Sequence, residues 1–358
     1  MKQSRINKVL EQMVEHNLSQ IIISEPSSIF YLTGIWIEPD ERMVALLLKA
    51  DGDHKFFINS LFSVHDDLGI EKIRFGDDED GGALVSRYVD RSKTVGIDKL
   101  WPSHFLLSLM KSTGSADFVN SSPILDRIRM IKDKEEIGLM RKASQINDLA
   151  MEKLIACLAE GYAENEMALK LSEIYIELGA QGFSFPPIIS YGKNSSIAHA
   201  ETTTARPEPG DSCTLDIGCV YNHYCSDMTR NPFFKSVSDR HREIYEISLE
   251  ATLAGQAAVK PGARFCDIDK AARDVIEKAG YGQYFLHRVG HSCGLNCHDF
   301  GNVSSENKDI VLPGMIFSVE PSITIPGELG VRVEDLVLVT ENGHETLNNY
   351  KRELQVIG

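Results

Sequence analysis

Residues 213–230 read CTLDIGCVYNHYCSDMTR. Apolar Leu215 leads into Asp216, and Asp227 follows eleven residues later. Between them YNHY (221–224) has the composition of a hairpin turn. That spacing sets the two carboxylates side by side on adjacent strands.

Two later stretches repeat the theme. In MIFSVEPSITI (315–325), Phe317, Val319 and Pro321 alternate with Ser318, Glu320 and Ser322; in GVRVEDLVLV (330–339), Val331 and Val333 alternate with Arg332 and Glu334. Period-two alternation aims Glu320 and Glu334 away from the apolar face of their strands. A strand carboxylate in apolar surroundings is costly unless it is paired, hydrogen-bonded or on a metal. One such acid reads as an edge strand facing solvent. Four of them, with the histidine-rich HRVGHSCGLNCHDF (287–300) between the second and third, point to a metal site. Carboxylates with an imidazole suit hard or borderline divalent ions, Mn²⁺ or Co²⁺ first and Zn²⁺ as a further option. Two ions about 3–4 Å apart balance four negative charges and acidify water, which predicts metal-assisted hydrolysis.

Around this core the chain reads as two α/β units. Its 358 residues exceed one ordinary domain, and 42% hydrophobic with 25% charged residues is the composition of a globular protein. The first third alternates strand-like runs (QIIIS, MVALLLKA, KFFINS, TVGID) with helical ones, the N-terminal segment and PSHFLLSLMKS. The polar cluster VNSSPI (119–124) ends it, giving expected domains 1–122 and 123–358. Asp133 with Glu136 then forms a helix cap, a stripe of Ile137, Met140, Ile146, Met151, Leu154 and Leu158 continues the helix, and Gly161 stops it. From Gly161 (GYAENEMALKLSEIYIELG) and again from Gly262 (GARFCDIDKAARDVIEKAG) the plan is a glycine turn, a short loop and a helix ending at glycine. Each copy leads to a histidine, His199 or His298, and then to an acidic pair. A duplicated α/β unit brings the four carboxylates to one shared seam.

The bulk numbers exclude other classes. A net charge of −15 disfavours nucleic acid and anionic membranes as partners. The longest apolar runs are strand-sized, too short to span a membrane. Ile6, Val9, Leu10, Met13 and Val14 give the first residues an amphipathic helix in place of a signal peptide, and seven scattered cysteines read as free thiols, so a cytoplasmic protein is expected.

The ordered set LDIG…SDMTR, HRVGHSCGLNCHD, FSVEPSI and GVRVED resembles the pita-bread metallopeptidases, the group of methionine aminopeptidase, aminopeptidase P and prolidase. The resemblance covers essentially the whole chain and implies a creatinase-like α/β N-terminal domain before a pita-bread catalytic domain. It implies five metal ligands, Asp216, Asp227, His291, Glu320 and Glu334, holding two ions, with Asp227 and Glu334 bridging and Glu320 also taking the proton of the attacking water. By the same resemblance His298 steadies the developing charge and His199 contacts substrate. The length and TGIWIEPDERMVALLL (33–48) look most like bacterial Xaa-Pro dipeptidases, with Xaa-Pro aminopeptidase as the alternative; short proline-containing peptides are the implied substrates. Metal-free hydrolases and inactive binding modules also use this fold, and both are expected to have lost ligands that are intact here. Relatives also imply a homodimer, for which the loop Trp36–Asp40 is the candidate contact.

Several positions stay open. His287 fits either a core or a pocket-lining residue. Cys293 and Cys297 could bind zinc with His291 and His298, or one could act as a nucleophile with His298, but buried thiols explain them more simply. Ser292, Asp299 and Ser322 depart from the family's residues and are expected in the pocket wall. Many prolidases carry an arginine shortly after the second histidine; DFGNVSSENKD has none, leaving Arg332 or Arg288 to bind the substrate's carboxylate.

Overall fold

The computed structural model, which describes residues 1–114, 116–198 and 200–358, divides into two units, Met1–Ile128 and Arg129–Gly358. The first runs α1 (Gln3–Glu15), β1 (Gln20–Ile23), α2 (Pro26–Thr33), β2 (Val44–Lys49), β3 (Lys55–Asn59), β4 (Glu71–Phe75), α3 (Gly81–Val85), β5 (Val95–Ile97), α4 (Ser103–Thr113) and β6 (Phe118–Asn120). One sheet in the order β4-β3-β2-β1-β5-β6 holds the six strands. β1, β2 and β3 pair antiparallel, and the outer pairs are parallel. All four apolar runs read from the sequence are strands here. The two unread strands, β4 and β6, lie at the sheet's edges, where EKIRF and FVN need few buried apolar side chains. On α1 only Ile6, Val9 and Met13 of the expected stripe are fully buried, and Val14 is largely exposed.

Helix α5 (Ser122–Met130) starts at the sequence boundary of 122/123 and carries the chain across the division at Ile128. The second unit opens with α6 (Lys134–Ala159), whose cap is reciprocal: Glu136 N donates to Asp133 Oδ1 at 3.0 Å and Asp133 N to Glu136 Oε2 at 2.9 Å. Gly161, in the left-handed region at φ 75°, then turns the chain into α7 (Glu164–Glu177). Met151, Leu154 and Leu158 of α6 are fully buried against Met167 and Leu171 of α7 and against the strands that follow, and Met140 is fully buried too. Each such side chain contributes about 1.5–3 kcal/mol by leaving water. Asn147 lies in this stripe, yet it is satisfied: its Nδ2 donates to Ile217 O at 2.8 Å and its Oδ1 accepts from Tyr175 at 2.6 Å.

Strands β7 (Gly182–Phe183), β8 (Ile188–Tyr191), β9 (Cys213–Ile217), β10 (Cys219–Tyr221), β11 (Tyr224–Cys225) and β12 (Met228–Arg230) follow. They form two small sheets, β11-β10-β7 and β12-β9-β8. After β13 (Phe233–Phe234) the plan repeats with α8 (Asp239–Ala258) and α9 (Phe265–Lys278). α9 has the same length as α7 and is likewise bounded by left-handed glycines, Gly262 and Gly280, as α7 is by Gly161 and Gly179. Next come β14 (Gly290–Ser292), β15 (Asp299–Val303), β16 (Ile316–Val319), β17 (Ser322–Ile325), β18 (Leu329–Arg332), β19 (Asp335–Val339) and β20 (His344–Thr346), with β21 (Val356–Ile357) returning to pair with β13. Five of these make the sheet β15-β14-β16-β19-β20, and β17-β18 form a hairpin. A second core of Phe265, Ile268, Phe317, Val319, Val331 and Val337 seals α8 and α9 to these strands. The duplication read from two weakly similar segments is therefore carried by two helix pairs, each with its own core.

Candidate metal centre

The hairpin expected at YNHY exists, with Asn222 and His223 at its tip, both in the left-handed region (φ 45° and 67°) that tight two-residue turns require. Asp216 lies on β9 opposite Thr229 of β12, and Asp227 directly precedes β12. From the other half, His291 lies on β14, Glu320 follows β16, and Glu334 occupies the break between β18 and β19. Gly290 explains how β14 can carry His291 so close to β16, since a Cβ there would overlap the carbonyl of Ser318.

These five residues line one cleft of about 990 Å³ together with His287, Arg288, His298, Arg332 and Phe185. His291 Nε2 is 3.3 Å from Glu320 Oε1 and 3.5 Å from Asp227 Oδ2. Burial pushes the His291 imidazole down to about 4, so the ring is neutral and these approaches are not ion pairs. One ligand atom each of Asp227, His291 and Glu334 lies within 4.8 Å of the others. Burial raises the carboxyls of Asp227 and Glu334 well above the usual range, and their acidic neighbours add to it. Burial raises Asp216 as well, against the pull of Arg332. Among the described residues Asp216 Oδ1, which is buried, has no hydrogen-bond partner. A neutral imidazole among crowded, uncompensated carboxylates, one with an orphaned oxygen, is a donor set that divalent cations satisfy. Asp216, Asp227, His291, Glu320 and Glu334 could hold them.

Of the residues that orient this set, the sequence singled out only Arg332, and as a substrate binder; Thr229, Ser318 and Arg230 were missed. Thr229 Oγ1 donates to Glu334 Oε2 at 2.6 Å and accepts from Arg332 Nε at 3.0 Å. Arg332 Nη2 meets Asp216 Oδ2. Burial opposes the Arg332 charge, but Asp216, Glu320, Glu334 and Asp227 outweigh it and hold the guanidinium protonated. Ser318 Oγ accepts from His291 N at 3.0 Å and donates to Glu320 Oε1 at 3.1 Å. Arg230 Nη1 binds the carbonyl of Glu334 at 2.6 Å. A signal existed for two of them: Thr229 and Ser318 each stand two residues from an acid, on the same strand face.

His298 lines the cleft with its ring edge-on to His291, centroids 4.1 Å apart, and burial, His291 and Arg288 bring it down to about 4. His199 lies outside the described residues. His287 is pocket-lining: its Nε2 meets Ser322 Oγ and its Nδ1 the Arg288 carbonyl, both at 2.6 Å. The expected pocket-wall positions lie one layer behind the cleft. Ser322 is buried beneath His287, Ser292 is buried in β14, and the Asp299 carboxylate accepts from Arg129 at 2.6 Å in a buried ion pair. Small side chains at 292 and 322 pack against neighbouring strands there. Cys293 and Cys297 are buried thiols; Cys297 Sγ donates to Asp227 Oδ2 at 3.3 Å. All seven cysteines are unpaired.

A family model described as metallopeptidase family M24 matches residues 138–341, and one for the creatinase/prolidase N-terminal domain matches residues 5–131. The chain is 33% identical over 364 residues to a putative dipeptidase of Bacillus subtilis (strain 168), covering 99% of this chain and 100% of that protein. Among solved structures, a dipeptidase from Pyrococcus horikoshii OT3 is similar with a TM-score of 0.92 and 33% identity, covering 99% of this chain and 100% of the other. An Xaa-Pro dipeptidase from Bacillus anthracis is similar with a TM-score of 0.92 and 28% identity over 99% of each chain.

Proposed function

The chain belongs to metallopeptidase family M24, and from that membership we propose that it is an Xaa-Pro dipeptidase, a prolidase that hydrolyses the bond before proline in dipeptides. One observation carries the reading: Asp216, Asp227, His291, Glu320 and Glu334, drawn from both halves, line one cleft that also offers the apolar Phe185, Pro186 and Pro187. The dipeptidase names of similar proteins support a dipeptide substrate.

Two divalent cations, Mn²⁺ or Co²⁺ by preference, supply Lewis acidity and acidified water when bound by these five residues. Glu320, 14% exposed at its side chain and steadied by Ser318, accepts the proton of the attacking water. His298, neutral and lining the cleft, donates a hydrogen bond to the oxygen on which charge develops. Arg332 fixes Asp216 and Thr229 fixes Glu334, so the carboxylates need little rearrangement. Wholly unpaired cysteines fit work in the reducing cytoplasm. A homodimer joined through the Trp36–Asp40 loop is the matching assembly, tested by light scattering on the wild type and Trp36→Ala.

The deciding experiment is hydrolysis of Ala-Pro and Ala-Pro-Ala by metal-stripped protein with Mn²⁺, Co²⁺ or Zn²⁺ restored. Metal-dependent cleavage of the dipeptide alone is the expected result. Cleavage of the tripeptide alone would make the protein an Xaa-Pro aminopeptidase.

A further inference from the structure

Arg230 ends β12 just past Asp227, its side chain is fully buried, and all five of its N–H groups are engaged. Nη1 donates to the carbonyls of Thr229 and Glu334 at 2.8 and 2.6 Å. Nη2 donates to Asp335 Oδ1 at 2.8 Å and to the Tyr350 carbonyl at 2.7 Å, and Nε to the Lys351 carbonyl at 3.0 Å. One planar fork thus gathers the strand after Asp227, the break that carries Glu334, and a stretch near the C-terminus. Because the directions of its donors are fixed, the carbonyls it binds are held relative to one another.

The C-terminal stretch lies beyond the metallopeptidase match, which ends at residue 341. It has little regular structure before β21, yet both halves of the catalytic unit hold it. Asn349 N and Tyr350 N donate to the Asp148 carboxylate of α6 at 2.8 and 3.0 Å, and β21 pairs with β13. From the other half, Tyr245 of α8 donates to the Arg352 carbonyl at 2.8 Å, and the Arg352 guanidinium binds Asp335. Asp335, next in the chain to Glu334 and fully buried, also accepts from Gln256 at 2.8 Å. Were the stretch to move away, two donors of a buried guanidinium would lose their acceptors, and the group would be free to turn. The carbonyl it would then release belongs to Glu334, whose carboxylate is a candidate ligand.

We propose that Arg230 is a positioning residue for the metal centre and that residues 348–357 form a strap holding it in place, so that the C-terminal segment sets metal affinity. The proposal rests on the five-ligand centre described under the proposed function.

The test is calorimetric titration of metal-stripped protein with Mn²⁺, in the wild type and in the Arg230→Lys, Asp148→Asn and Arg352→Gln variants. Arg230→Lys keeps the charge and loses the fork. Asp148→Asn and Arg352→Gln loosen the strap without touching a candidate ligand. Each is measured where circular dichroism shows it folded. In Arg230→Lys the Kd for Mn²⁺ rises about 10–100-fold, and in the two strap variants it rises by less. Leu171→Ala, which opens the separate core between α6 and α7, lowers the melting temperature but leaves Kd unchanged. A Kd within twofold of wild type in Arg230→Lys overturns the proposal, as does an equal rise in Leu171→Ala, which would reduce the effect to general loosening. If Arg230→Lys does not fold, the two strap variants decide by the same twofold criterion. If the wild type binds Mn²⁺ and only the variants' Kd stays fixed, the role of Arg230 falls alone. If the wild type binds neither Mn²⁺ nor Co²⁺, the metal centre falls and takes this role with it.

Discussion

Thr229 and Glu334, 105 positions apart, are joined three times: by a 2.6 Å hydrogen bond between their side chains, by Glu334 N donating to Thr229 O at 3.2 Å, and through Arg230, which bonds both carbonyls. The two halves of the catalytic unit thus meet at a metal-ligand candidate. In Thr229→Val the carboxylate keeps its place in the chain but loses its orienting donor. Metal affinity then falls about 10–100-fold, read by calorimetric Mn²⁺ titration, while the melting temperature changes little. Unaltered affinity would remove Thr229 from the site's support.

Glu320→Gln preserves shape and removes the proton acceptor. A loss of about 10²–10⁴-fold in kcat on Ala-Pro is expected, with the fold intact by circular dichroism. Turnover near wild type would sink the assignment of Glu320.

Glu164, fully buried at the start of α7, accepts from Tyr191 N, Asn194 Nδ2, Thr203 N and Thr203 Oγ1 at 2.6–3.0 Å. It ties down a segment that lines the cleft with Ser196, Ala198, Ala200 and Glu201. Glu164→Gln places a donor among donors and costs about 2–4 kcal/mol by urea unfolding. KM for Ala-Pro rises more than kcat falls.

Metal removal gives stability a pH dependence. In the stripped protein Asp227 and Glu334 keep their protons to higher pH when folded than when unfolded. The folded state therefore binds more protons above about pH 4, the ordinary carboxyl range, and stability falls as pH rises from there through the raised values. Thermal melts of chelated protein at pH 5 and pH 8 show the lower midpoint at pH 8, and Mn²⁺ abolishes the difference. Equal midpoints would show that the carboxylates are compensated by other means.

Much of this architecture is legible in local sequence because local rules decide it. Asp133 and Glu136 announce the start of α6 by spacing alone; alternation singles out Glu320 and Glu334, although Glu320 stands just beyond β16 and Glu334 between β18 and β19. What local pattern does not carry is where polar side chains end up after two distant segments pack. The pairing of Arg332 with Asp216 and the burial of Ser322 under His287 depend on strands brought together from far apart. The edge strands β4 and β6 escaped because an edge asks little of its sequence. Asp299, expected in the pocket wall, is instead held in a buried ion pair with Arg129 that no local pattern announces.

The division of the five candidate ligands between two helix-and-sheet halves has a consequence during synthesis. Asp216 and Asp227 leave the ribosome first, and the helix pair α8 and α9 must follow before His291, Glu320 and Glu334 appear. A nascent chain carrying only the earlier pair has two acids and no imidazole, too few donors for a tightly held binuclear centre. Peptide-cutting capacity is therefore withheld until both halves have emerged and closed on each other.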